Sequence, residues 1–197
     1  NWNTCISGTT PTATNRKNWK RPLKMISDIL KHTFRLLILT LVQGLIIKNI
    51  DLGTFINPFP YVLFILLLPF DTPPWLVLLL GFASGLLVDM FYDTKGVNAA
   101  ACTFMAFGRH YILRLLAPRD GYESAMQPGV YSMGWPWFVS YAGILILLHH
   151  FFLFYLEVFR LSEFFHTFFT VILSGIATLL LVVVSQFLFN KPKVQST

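Results

Sequence analysis

Long, unbroken apolar runs separated by short polar breaks organise this chain. The runs are Phe34–Ile50, Pro60–Phe70 (with Phe55 as an alternative start), Trp75–Tyr92, Val97–Leu116, Trp135–Val158 and Phe164–Phe189. A bilayer crossing takes about 20 mostly apolar residues at about 1.5 Å of rise each. The pattern therefore predicts an all-α, polytopic membrane bundle of about six transmembrane helices over residues 25–190. The runs are continuous and do not alternate, which excludes barrel strands. Ile26, Ile29, Leu30, Thr33 and Leu37 recur at helical spacing with Lys24, Lys31 and Arg35 among them. They predict an amphipathic turn or two in the headgroups, leading into the first span.

The breaks carry turn chemistry. Gly53 and Asn57-Pro58 separate the first two spans, and Pro69 to Pro74 separate the second and third, where Asp71 or Thr72 is placed to cap the next helix. Pro118–Gly134 is the longest internal loop. Residues 1–24 are polar and lack an apolar signal core, so they predict a disordered or foreign leader before a native start at Met25. Residues 191–197 form a short basic tail.

Charge orients the bundle. Of the 15 Lys and Arg, all but Lys48, Lys95 and Arg160 fall on the side that six spans assign to both termini. Arg35, Arg114 and Arg119 mark that side, which the positive-inside bias makes cytoplasmic. Only 12% of residues are charged against 55% apolar, below the roughly 25% charged of a soluble domain. The net charge of +6 therefore belongs to span ends and gives no reason to expect nucleic acid.

Polar residues inside the runs are the candidate functional groups. Asp89 is expected to be buried, as a helix lock or, less favoured, as a proton or cation site. Asp93 lies at i+4 and is expected to cap the next turn near Thr94 and Gly96. Gly81 and Gly85 form G-x-x-x-G, and Ala99–Ala106 forms a second small-residue surface. These faces are expected to pack on each other or on a partner. Arg109 and Arg114 are expected to snorkel to headgroups, with an acidic partner for Arg109 as the alternative. His149 and His150 point about 100° apart and suit polar helix contacts better than a metal site. Cys5 and Cys102 have no zinc-like spacing. No nucleophile, phosphate-binding or metalloprotease motif occurs, so neither catalysis nor a cofactor is expected.

Several strings go further. Asn57-Pro58 with Tyr61–Pro73, then Gly85–Thr94 with Gly96, Ala99–Ala101 and Met105–Phe107, resemble the rod shape-determining MreD family as found in Bacteroidetes. So do Leu113–Glu123, His149-His150 and Leu156–Phe159. The resemblance covers Met25 to Phe189. It implies a bacterial inner-membrane scaffold of the cell-elongation machinery, without known catalysis, acting in peptidoglycan synthesis and cell shape. The implied partners are MreC, the actin-like MreB, and RodA with its transpeptidase partner. The implied fold resembles the substrate-binding component of energy-coupling-factor vitamin transporters, so a small-solute transport subunit is the alternative function. Asp89 and Asp93 match the family's third-span acidic motif, which implies bundle integrity or MreC contact. The Pro118–Gly134 loop and Met25–Arg35 would face MreB.

A reporter that is active only outside the cytoplasm, fused after Thr197, is expected to stay silent. An active fusion refutes the orientation.

Overall fold

The computed structural model describes residues 34–49, 55–119, 121–122, 126–158 and 164–189. The leader, the amphipathic stretch before Phe34, Gly53 and the basic tail lie outside them. The chain forms two compact units, Asn1–Arg35 and Leu36–Thr197, and the architecture below is that of the second.

Every regular element among the described residues is helical. Helix α1 runs Phe34–Ile46 and widens to π geometry over Val42–Ile46 before a 3-10 turn at Ile47–Asn49. A 3-10 turn at Pro60–Val62 leads into the one-turn helix α2, Leu63–Leu66. Next come α3 (Pro74–Tyr92), α4 (Val97–Leu115), a single turn α5 (Val130–Met133), α6 (Trp135–Val158) and α7 (Phe164–Phe189). Three of these, α3, α6 and α7, are long and apolar enough to cross a membrane. Helix α4 matches α3 in length but carries Arg109 and Arg114.

Proline shapes the starts and stops. Pro73 is extended, and Pro74 opens α3 where a missing N–H has no helical partner to lose. Helix α3 ends because Asp93 turns left-handed at φ 54°. Gly96, at φ 88°, then starts α4 without a side-chain cap of its own.

Helix α3 packs on α4, α4 on α6 and α6 on α7, while the π turn of α1 rests on α3. Residues 55–70 run through the middle. The Phe55 ring lies 4.8 Å from His166, near the start of α7. The Phe70 ring lies 5.9 Å from Trp137, near the start of α6. Helices α6 and α7 are antiparallel, with Trp135 5.8 Å from Phe187. The central segment thus passes from one end of the bundle to the other.

This corrects the expected second span. Pro60–Phe70 is not one continuous helix, because helical geometry ends after Leu66. Pro58, Pro60 and Pro69 remove backbone donors, and a residue before proline is pushed toward extended geometry. Phe59, at φ −123° and ψ 69°, is such a residue. Tyr61 to Leu68 are all buried, none more than 6% exposed. Apolarity on every side of the segment is thus that of an enclosed core element.

The small-residue faces are spent inside the chain. A Cβ on Gly85 would sit 2.5 Å from the Ala99 Cα and against the Asn98 carbonyl. One on Gly81 would sit 3.0 Å from the Ala106 Cβ. Gly81 and Gly85 therefore close on the Asn98–Ala106 side of α4, while Asp93 stays exposed.

Gly85→Ala should lower thermal stability in detergent by about 1–3 kcal/mol, because backbone cannot yield to the new methyl. Gly143→Ala, whose Cβ would meet only the Leu179 side chain at 3.9 Å, should be neutral or stabilising. Equal effects at the two sites would contradict the close α3–α4 contact.

Candidate functional site

The candidate site is a set of buried polar side chains that tie the central segment to the surrounding helices. It begins at Asp89, in the last turn of α3 and only 4% exposed. One carboxylate oxygen accepts the Asn98 N–H and the Asn98 side-chain N–H, both at 3.0 Å, and the Thr94 hydroxyl. The other accepts the Ala99 N–H at 2.9 Å. Asn98 and Ala99 lie in the first turn of α4, whose N–H groups have no intrahelical acceptor. A carboxylate there is favoured by both hydrogen bonding and the helix dipole. Asp89 thus caps α4 from the preceding helix. Asp93 does not cap α4. It is exposed and outside the helix, so the i+4 relation that put it beside Asp89 ends with Tyr92. Gly96 supplies the turn between them.

Asn98 passes the connection inward. Its side-chain nitrogen is committed to Asp89, so its oxygen is the end that accepts from the Tyr61 phenol, at 3.2 Å. The Tyr61 oxygen contacts His149 Nε2 at 2.9 Å and Cys102 Sγ at 3.3 Å. With its one proton given to Asn98, Tyr61 accepts from both. His149 then carries its proton on Nε2. The donors run in one direction, from His149 through Tyr61 and Asn98 to the Asp89 carboxylate.

Two further groups serve the central segment's backbone. At the end near His166, Ser174 accepts the Asn57 N–H at 2.9 Å and donates to the Phe55 carbonyl at 3.2 Å. Thr178 accepts the Phe59 N–H at 3.0 Å and contacts His150 Nε2 at 3.0 Å. Gln43 donates to the Tyr92 phenol at 2.7 Å and, at 3.4 Å, to the Pro58 carbonyl. At the other end, Tyr141 donates to the Leu66 carbonyl at 3.0 Å. Arg109 donates to the Leu68 carbonyl at 2.5 Å and the Tyr141 oxygen at 2.9 Å.

Arg109 is thus a correction. It is 3% exposed and donates to the Leu68 and Pro69 carbonyls, left open beyond α2, instead of reaching headgroups. Arg114 and Arg119 are exposed, and Arg35 is half-buried in the first turn of α1. Around Arg109, Phe70 stacks on Tyr122 at 4.1 Å and Trp137 on Tyr141 at 5.0 Å. Partial burial raises the pKa of the Tyr122 phenol above its ordinary value, and its O–H donates to the Leu113 carbonyl at 2.7 Å.

His149 and His150 make polar helix contacts, as expected. Among the described residues no three His, Cys, Asp or Glu side chains converge to hold a metal. Sequence reasoning missed Tyr61, Asn98, Tyr141 and Thr178. Ser174 and Thr178 carried a usable signal, since hydroxyls four residues apart mark one face of an otherwise apolar helix.

No family model, curated protein or solved structure matches the chain.

Asp89→Ala should destabilise the chain by about 2–4 kcal/mol, by orphaning buried N–H groups. Asp89→Asn should fare little better, because its NH2 would face a donor. Asp93→Gly should stay within about 0.5 kcal/mol of the parent. Thermal unfolding in one detergent compares all three, and a harmless Asp89→Asn would contradict the clamp.

Proposed function

We propose that this chain is a non-enzymatic membrane scaffold of the bacterial cell-elongation machinery. In this reading it crosses the inner membrane six times, with both termini in the cytoplasm. The crossings are α1, the central segment, α3, α4, α6 and α7. The observation that carries the reading is how the interior polar groups are used. Asp89, Asn98, Tyr61, Arg109, Tyr141, Ser174 and Thr178 are bonded to the chain's own backbone and side chains. A solute-binding site needs polar groups converging on a shared guest, whereas these hold helices to a core. The resemblance to the MreD family supplies the biological setting.

The role is to hold other membrane components in place. With the inward small-residue faces closed, MreC meets the outward side of the helices. MreB, RodA and its transpeptidase partner join through the complex. The small-solute transport reading draws on one observation, the buried His149 Nδ1, which has no protein partner.

Crosslinked pull-down from native membranes separates the two. Recovery of MreC, MreB or RodA supports the scaffold, and recovery of an energising ATPase instead overturns it. Asp89→Ala should lower the amount of complex recovered and round the cells; full recovery with normal shape would count against the reading.

A further inference from the structure

Helix α1 turns an incompletely bonded face inward. Thr40 and Gln43 are three residues apart, which puts them on one side of a helix with Cβ atoms about 5–6 Å apart. Thr40 is 3% exposed and Gln43 is fully buried. The Thr40 hydroxyl and the Gln43 side-chain oxygen have no protein partner.

Among the described residues, Thr40 and Thr167 are the buried threonines whose hydroxyls have no protein partner. Helical hydroxyls commonly bond the carbonyl four residues back, as Thr103, Thr170 and Thr178 do at 2.7, 3.0 and 2.8 Å. Thr40 does not. The Gln43 amide is half used, with its nitrogen directed at Tyr92 and Pro58 and its oxygen left over. Gln43 lies where α1 meets the non-helical part of the central segment, at Pro58. The helix also widens there to π geometry over Val42–Ile46, a feature that often marks a functional position.

We infer that an ordered water molecule binds at this seam, bridging Thr40 Oγ1 and Gln43 Oε1. An amide oxygen only accepts, so the guest must donate to it, and a hydroxyl can take either role. Water satisfies both, and a buried water is held by two to four such partners. Two neutral oxygens are too few for a hard cation, which takes six or more oxygen ligands. The inference does not depend on the proposed function. It satisfies the two α1 oxygens left open beside the direct bonds of Gln43 to Pro58 and Tyr92.

The test is Thr40→Val, which removes a hydroxyl at nearly constant shape, made in the full chain and again in a Gln43→Met background. A bridging water predicts a fall in Tm of about 3–8 °C in the first case and little further change in the second. Removing an unsolvated hydroxyl would instead leave Tm level or raise it, and that result overturns the inference, as would equal falls in both backgrounds. A map of the parent protein fine enough to show waters is the second measurement. Density within hydrogen-bonding distance of both oxygens is expected; a dry seam or a larger guest overturns the assignment.

Discussion

A peptide N–H or C=O inside hydrocarbon has no water to bond, so each must find a partner within the protein. A continuous helix meets this demand by itself. Residues 55–70 do not form one, and the arrangement of the bundle follows from that. Their unpaired backbone groups are met by Ser174 and Thr178 on α7 and by Tyr141 on α6. Arg109 on α4 and Gln43 on α1 meet others. Four surrounding helices are thereby fixed to one core by hydrogen bonds as well as by packing. Each such bond adds about 1 kcal/mol when made, yet leaving a buried group unmatched costs about 1–3 kcal/mol. The larger effect of these contacts is therefore on specificity, because wrong packings leave buried backbone groups without partners.

The α3–α4 pair is secured differently. Its contacts are local, between Asp89 and residues up to ten positions later, and glycine allows the backbones to touch. The Asp89 clamp and the Gly85 contact lie at the same end of the pair, so the turn is held on both sides of the left-handed Asp93. From there Asn98 and Tyr61 carry the connection to the middle of the bundle. Local clamp and central core are one bonded system.

The long helices were legible because apolar length is a property of composition. Val97 to Leu115 or Leu116, Trp135–Val158 and Phe164–Phe189 are bounded by polar or helix-breaking residues that hydropathy detects directly. The central segment was not, since the same apolar run serves a helix facing lipid and a broken segment enclosed by protein. Its prolines were the available hint. Arg109 was misplaced for a related reason: headgroup phosphates and free carbonyls both attract a guanidinium, and only the tertiary arrangement chooses between them. Asp89 was legible because a carboxylate beside a small-residue turn has few ways to be satisfied. Asp93 was not, because helical periodicity assumes a helix that had already ended.

The partners of the central segment are far apart along the chain. Asn57 and Phe59 bond residues 117 and 119 positions later, on α7, which is made after the other described helices. The α3–α4 hairpin can close as soon as it is made, but residues 55–59 lack these two acceptors until α7 arrives. Until then the Asn57 and Phe59 N–H groups have to be met by other partners, because an unmatched buried donor is costly. Among the described helices, α7 is therefore the one whose arrival closes the bonding of an early segment.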